Sequence, residues 1–383
     1  MEQSLEIFNR LVSQLLTDEA QNPVAEYIPS TQLYERLDLK LQKDGMSASE
    51  LEASLKDLVF ATPRTATNAF FNQLFGGRQE KAILGDLLSV ILNNSMYTYK
   101  AAGPQIGVEK VILREVCDMI GWDNTSDGTL APGGSMTNFM GMLMARDAYN
   151  EKAKYEGVQQ KMTVYTSIES HYSTPKNAAF AGIGRDNVRK IATDTKGRMD
   201  NVILRKTIQD DIASGLHPIL INCTAGTTVL GAFDDLVEAK AIAEEFNIWL
   251  HVDGAYGGSV LFSEKYKYLI EGVEGVDSFT LNAHKTLGTP LGCSLIVVKD
   301  KKCLHESFSN DATYLYQTDH DEFNPGKMSL QCGRRNDALK LWVLWKSVGT
   351  DGLEHIVDKQ FELADTARAY VRSHSDYTDY SVD

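Results

Sequence analysis

The chain has 383 residues, 43% of them hydrophobic, and a net charge of −14. That is enough apolar material for a sizeable core in one large domain or two, while the acidic balance argues against nucleic acid or an anionic membrane, both of which recruit basic patches. The start, "MEQSLEIFNR", has no basic segment followed by an apolar one, and no run of about 18 apolar residues occurs anywhere. The five cysteines (Cys117, Cys223, Cys293, Cys303 and Cys332) form no C-x-x-C pair. They read as reduced thiols of a cytoplasmic protein rather than a disulfide frame or zinc site.

In chain order, Leu5, Phe8, Leu11, Val12 and Leu15 recur at helical spacing, a stripe that packs on the body or crosses to a partner subunit. A polar stretch to about residue 60 gives little pattern, and a helix-rich stretch follows to about 125. From there strands and helices alternate. Strands are expected at Met162–Ser167, Val188–Ala192, Ile219–Cys223, Ile248–Val252, Phe279–Leu281 and Leu295–Val298, with a helix over Leu236–Phe246. "CGRRNDALKLWVLWKSVG" reads as a long amphipathic helix. Such alternation predicts an α/β sheet covered by helices. No repeat, low-complexity segment or linker interrupts it.

Several short stretches carry candidate chemistry. "TLAPGGSMTNFMGMLMAR" is an extended piece, a Gly-Gly-Ser turn and a helix from about Thr137, so Gly134 and Ser135 are candidate phosphate binders at a helix N-terminus. "TSIESHYSTPKNA" puts His171 just beyond a strand, and "NCTAGTTVLGAFDD" ends a strand in Thr224, Thr227 and Thr228. "IWLHVDGAYGG" puts Asp253 at a strand end, where open α/β sheets bind ligands. His251 and Asp253 alternate onto one face, but no third metal ligand follows at suitable spacing. Turn or capping roles are the plain alternative for each of these residues.

The stretch "SFTLNAHKTLGTPLGCSLIVV" puts Lys285 between two apolar runs, at a strand end near the core. A solvated lysine in a hairpin loop is the plain alternative. The order of the signals favours another reading: a phosphate-type turn, a strand-end histidine, threonines, a strand-end aspartate, then the lysine. Pyridoxal phosphate needs an anion cradle, a flat partner for its ring, a carboxylate for its ring nitrogen and a lysine for its aldehyde. Desolvation would lower the pKa of Lys285 and suit it to Schiff-base formation.

With these residues in view, the chain resembles the group II pyridoxal-phosphate decarboxylases, and among them the glutamate, cysteine sulfinate and aspartate decarboxylases. The resemblance runs from about Thr67 to the end. It is carried by "FFNQLFGG", "NNSMYTYKAAG", "APGGSMTN", "HYSTPKNAA", "TAGTTVLGAFDD", "HVDGAYGG", "LNAHK" and "YLYQTD…LQCGRRNDALKLWVLWK". It implies fold type I, the aspartate aminotransferase-like α/β fold, with a mostly parallel, mixed seven-stranded sheet flanked by helices. It implies an N-terminal helical segment (1–65) packing on a dimer partner, a large cofactor domain (66–350) and the start of a small C-terminal domain (351–383), cut short. It also implies a homodimer with the site at the interface.

By the same resemblance, Lys285 carries the cofactor, Asp253 pairs with its ring nitrogen and His171 stacks on its ring. Gly134, Ser135, Asn282 and His284 surround the phosphate, while Thr227 and Ala255 line the cofactor. Tyr314 is similar to a loop tyrosine that protonates the substrate Cα after carbon dioxide leaves. Asn72 and Gln73 match residues near the distal acid group of the substrate. Ser95 and Tyr97 stand where animal glutamate decarboxylases tend to have Asn and Phe, and where the cysteine sulfinate and aspartate enzymes tend to have Ser and Tyr. The implied reaction is α-decarboxylation of an acidic amino acid, aspartate or cysteine sulfinate before glutamate. Alternatives are glutamate decarboxylation, decarboxylation of another amino acid such as 2,4-diaminobutyrate, or a non-catalytic protein of the same fold. Three departures from the family bear on this. Lys100 and Gly103 replace an acidic residue and a proline, Ala283 stands where a proline is common, and the arginine that binds the substrate's α-carboxylate has no counterpart.

Overall fold

The computed structural model describes residues 1–71, 76–309 and 321–380. Two compact units divide the chain, Met1–Gly77 and Arg78–Asp383.

The first unit holds helices α1 (Glu2–Gln21), α2 (Leu33–Arg36) and α3 (Ala48–Ala61). Arg10 on α1 forks onto Glu52 on α3 at 2.8 and 2.7 Å, and Asp18 pairs with Arg64. Helix α3 lies in the polar stretch before residue 60, which carries little hydrophobic pattern. Its start is nevertheless written in a capping box. The Ser47 hydroxyl accepts the Glu50 N–H at 3.3 Å, and the Glu50 carboxylate accepts the Ser47 N–H at 2.7 Å.

The second unit begins with α4 (Glu80–Leu92), α5 (Tyr99–Ala102) and α6 (Gln105–Ile120), then β1 (Asp127–Ala131), α7 (Gly134–Tyr149), α8 (Ala153–Glu156), β2 (Met162–Ser167) and α9 (Ser173–Phe180). It continues through β3 (Val188–Ile191), α10 (Asn201–Ala213), β4 (His217–Thr224), α11 (Leu236–Phe246), β5 (Trp249–Gly254), β6 (Ser278–Asn282), β7 (Ser294–Val298), α12 (Lys302–Phe308) and α13 (Ala338–Arg372). The seven strands form one sheet in the order β1-β7-β6-β5-β4-β2-β3. Strands β3, β2, β4, β5 and β6 run parallel, and β7 is antiparallel to both of its neighbours. This is the mixed, mostly parallel sheet of fold type I that the sequence implied.

Strand ends differ from the sequence reading by one or two residues, and two helix starts differ by more. Helix α7 begins at Gly134 rather than Thr137. The Gly-Gly-Ser run looks like a turn, but the first glycine past the cap is already helical because it tucks against neighbouring strand ends; a Cβ on Gly134 would meet Asn282 Nδ2 at 2.8 Å and the Ala255 Cβ at 3.0 Å. Helix α13 starts at Ala338, past "CGRRND", where the Asn336 side chain accepts the Leu339 N–H at 3.3 Å. It breaks at Gly349, whose φ of 72° is a glycine conformation.

The sheet's two faces differ in chemistry. One carries Ile221, Leu250, Val252, Phe279, Leu295 and Val297 against apolar residues of α6, α10, α11 and α13. Alternation sends Thr166, Asn222, His251, Ser278, Asp253 and Thr280 to the other face, beneath α7. A buried sheet face this polar needs a reason, because each group there has to be hydrogen-bonded to offset its lost hydration.

Candidate active site

Three parallel strands deliver the three central residues from their carboxyl ends, where a sheet of this kind binds its ligand. Asp253 lies within the end of β5, His171 stands between β2 and α9, and Lys285 follows β6 in a tight turn. In that turn the Lys285 N–H reaches the Asn282 carbonyl at 3.2 Å, and the Gly288 N–H reaches the Lys285 carbonyl at 3.3 Å. The next residue fixes the turn. The Thr286 hydroxyl lies 2.5 Å from Ser259 Oγ, and Gln360 on α13 donates to the Thr286 carbonyl at 2.6 Å. The segment does join two antiparallel strands, as the hairpin alternative required, but Lys285 is half-buried rather than solvated.

The electrostatics follow from burial. Desolvation lowers the Lys285 pKa, opposed by the attraction of Asp253. Desolvation raises that of the buried Asp253, opposed by the Ala255 N–H, by Lys285 and His171, and by the Asn138 amide. Neither residue forms a salt bridge among the described residues. His171 is also pushed down, first by desolvation and then by Lys285 and Lys190. Its Nδ1 lies 3.2 Å from the Ser173 N–H, an obligate donor, and 2.8 Å from Ser173 Oγ. Nδ1 is therefore the acceptor, the ring is neutral and Nε2 carries the proton.

The other expected cofactor residues lie around this group. The first N–H groups of α7, at Gly134 and Ser135, have no acceptor within the helix. The Asn282 side chain lies beside Gly134, and its buried Oδ1 has no partner. Ala255 is buried, and its N–H donates to Asp253 Oδ1 at 3.1 Å. The His284 Nδ1 sits 3.0 Å from the Cys293 carbonyl and 3.2 Å from the Cys293 N–H, which turns the ring back onto the loop. Thr227 is buried, but its hydroxyl closes its own turn by accepting the Ala232 N–H at 3.1 Å. Thr224, set against Asp253 in register, has the free buried hydroxyl instead. The strand-end threonine run was the only sequence signal for it.

Ser95 and Tyr97 lie on the link between α4 and α5, held by the segment that precedes α13. The Met96 N–H donates to the Arg334 carbonyl at 3.0 Å, and the Gly326 N–H to the Tyr97 carbonyl at 2.9 Å. Ser95 Oγ is buried without a partner. No described contact joins these two residues to the Lys285 cluster. Tyr314, Asn72 and Gln73 lie outside the described residues. His251 and Asp253 share a face as expected, but both ring nitrogens of His251 are already engaged by Ser278 and Asn138.

These features fit pyridoxal phosphate. Among the described residues the buried Asp253 carboxylate has no directly bonded cation, and a protonated ring nitrogen would supply one. The α7 N-terminus offers unpaired N–H groups to a phosphate. Lys285, desolvated and unpaired, suits an aldehyde.

Comparison with known proteins agrees. The family described as "Pyridoxal-dependent decarboxylase conserved domain" matches residues 30–379. Mouse "Acidic amino acid decarboxylase GADL1" is 38% identical over 356 residues, which is 91% of this chain and 64% of that protein. Rat "Cysteine sulfinic acid decarboxylase" is 37% identical over 350 residues, 90% of this chain and 71% of that one. The chain thus spans roughly two thirds of the length of these curated relatives. The crystal structure of mouse CSAD matches with a TM-score of 0.93 and 34% identity, over 98% of this chain and 79% of that chain. The site geometry and the family match coincide: the chain belongs to the pyridoxal-dependent decarboxylase family.

Proposed function

We propose that this protein removes the α-carboxylate of an acidic L-amino acid, aspartate or cysteine sulfinate, to give the corresponding amine and carbon dioxide. The cofactor is pyridoxal 5′-phosphate. The observation that carries the reading is the convergence of unpaired Lys285, buried Asp253 and neutral His171 at the ends of three parallel strands. The relatives named for acidic amino acids and cysteine sulfinic acid support the substrate class.

Bound there, the cofactor supplies an electron sink for the pair left when carbon dioxide departs. The chain's own residues supply the rest. Lys285 would hold the cofactor's aldehyde covalently and, where its amine is free, would act as a nearby base. Asp253, ionised, holds the ring nitrogen protonated. The neutral His171 ring offers a flat, uncharged face for stacking. The α7 N-terminus, with Gly134, Ser135, Asn282 and His284, holds the phosphate. Thr227 and Ala255 line the cofactor. Tyr314 returns the proton to the substrate Cα. Asn72, Gln73, Ser95 and Tyr97 recognise the distal acid group, with the unpartnered Ser95 hydroxyl as an available donor.

The assembly we propose is a cytoplasmic homodimer with the site at the interface. Helix α4 leaves Leu84, Leu87, Leu88, Val90, Ile91 and Leu92 exposed, an apolar surface that a second subunit would cover. Leu5, Phe8 and Leu16 on α1 are exposed as well, which suits an N-terminal segment (1–65) that crosses to the partner. The large cofactor domain would then run over 66–350, with residues after 350 opening a further domain. No described helix is long and apolar enough to cross a membrane.

The test is carbon dioxide release with added pyridoxal phosphate, comparing aspartate, cysteine sulfinate and glutamate. Release from one of the first two above glutamate supports the reading. Release from glutamate first, or from none of them while cofactor absorbance is intact, sinks the substrate assignment.

A further inference from the structure

The stretch that carries Ser95 and Tyr97 is held by residues that the chemistry above does not use. The segment before α13 bonds it at three points. The Met96 N–H donates to the Arg334 carbonyl at 3.0 Å, the Gly326 N–H to the Tyr97 carbonyl at 2.9 Å, and the Tyr99 N–H to Asn324 Oδ1 at 3.3 Å. Met96 sits between Ser95 and Tyr97, so fixing its backbone fixes where both side chains start.

The first anchor is itself pinned. Arg334 forks onto Glu109 of α6, with Nη1 2.8 Å from Oε2 and Nη2 2.5 Å from Oε1, and both side chains are buried. Such a pair is seldom more stable than apolar residues of the same volume. What a planar fork adds is a defined position for the arginine. One turn earlier on α6, Ile106 packs in a small cluster with Ala102 and the completely buried Met96. Helix α6 therefore holds Met96 twice, directly by its side chain and through Arg334 by its N–H.

The second anchor is a close approach. Gly326 is buried, and a Cβ there would overlap Cδ2, Cε2 and Cζ of the Tyr97 ring. Gly326 is not one of the glycines with positive φ, so what it supplies is space for the ring rather than an unusual backbone. Any larger residue at 326 would have to push the ring off its seat.

We propose that Gly326 and the Glu109–Arg334 pair are positioning residues for substrate choice: they seat the Tyr97 ring and the Ser95 hydroxyl, and that seating sets which distal acid group is accepted. The inference rests on the reading that Ser95 and Tyr97 recognise that acid group.

The test is a double-mutant cycle on Gly326→Ala and Tyr97→Ala, with pyridoxal phosphate added. KM and kcat are measured for aspartate, cysteine sulfinate and glutamate, and unfolding midpoints are recorded beside them. In Gly326→Ala the ratio of kcat/KM for aspartate to that for glutamate is expected to move about tenfold, through KM rather than kcat, with cofactor absorbance unchanged. In the Tyr97→Ala background the same substitution is expected to move the ratio less than about twofold, because no ring is left to displace. The fall in unfolding midpoint that Gly326→Ala causes alone is likewise expected to shrink in that background. Should Gly326→Ala fail to fold, Arg334→Lys, which keeps the charge and loses the fork, is expected to move the same ratio by a smaller amount, again through KM. A ratio that stays put in both of these variants while Tyr97→Ala moves it overturns the inference and leaves the roles of Ser95 and Tyr97 intact. So does a ratio that Gly326→Ala moves equally with and without the Tyr97 ring. A ratio that neither Tyr97→Ala nor Ser95→Ala moves overturns that reading, and the inference with it.

Discussion

Two lysines of this chain, one buried and one half-buried, stand in contrast. Lys340 on α13 is completely buried, with Asp337 at 3.0 Å, Asp86 of α4 at 3.1 Å and the Leu291 carbonyl at 3.1 Å. Lys285 is only half-buried, and no carboxylate lies within ion-pair distance of it among the described residues. The deeper lysine is neutralised by its neighbours and ties α13 to α4 and to the loop after Lys285. The shallower one is left without a direct partner, so its ammonium is destabilised and its amine is available. Burial therefore does not distinguish structure from chemistry here. The absence of a partner does.

The largest expected break in this contrast is Lys285→Ala. Turnover should fall about a thousandfold or more, because the covalent tether is gone. Stability of the apoprotein should stay within about 0.5 kcal/mol of wild type, since no ion pair is lost. A coupled carbon dioxide assay and a urea titration read both quantities. A loss of stability comparable to that of a core substitution would mean that Lys285 is structural.

Lys340→Met should do the reverse. It takes the buried cation from Asp86 and Asp337 and leaves them only the half-exposed Arg335, at 2.8 and 4.0 Å, at a cost of about 3 kcal/mol in denaturant unfolding. Adding Asp337→Asn should restore part of that loss, since it removes one of the stranded charges. If Lys340→Met were as stable as wild type, the cluster would hold nothing together.

His284 senses both lysines. Desolvation lowers its pKa first, and Lys285 and Lys340 lower it further, against the Cys293 carbonyl. Replacing either lysine with Met should therefore raise the His284 pKa, Lys285 more than Lys340, as read by histidine proton NMR. The same reasoning gives a stability trend. His171, His251 and His284 all have folded-state pKa values below the ordinary one, so the unfolded chain binds more protons at acid pH. The share of stability that these histidines contribute is fully present above about pH 6.5 and is lost on acidification by up to about 1.4 kcal/mol per pH unit for each, while buried Asp234, pushed up to about 6, opposes that loss. His251→Gln should flatten that slope by one histidine's share.

The smallest effect concerns neither lysine. Ser95→Asn with Tyr97→Phe should shift preference towards glutamate by about tenfold in relative kcat/KM. Cofactor absorbance and unfolding midpoint should not move. If preference stays put, the two side chains are packing groups only.

Sequence by itself determined the alternation of strands and helices, and with it the α/β class, since period-2 and period-3.6 patterns are local. It also placed Lys285, Asp253 and His171 at strand ends, because a polar residue closing an apolar run is visible without coordinates. The capping box of α3 was legible too, but a helix with so weak an apolar stripe does not announce itself by periodicity. Other features required the fold. The partner of Lys340 on α4 lies far away in sequence, and only Asp337, three residues before it, hints locally at an ion pair. The free hydroxyl at Thr224 rather than Thr227 depends on which one the turn consumes. The hydrogen bonds among Trp249, Ser278, His251 and Asn138 join β5, β6 and α7, and strand register with the passage of α7 over one face brings these residues together.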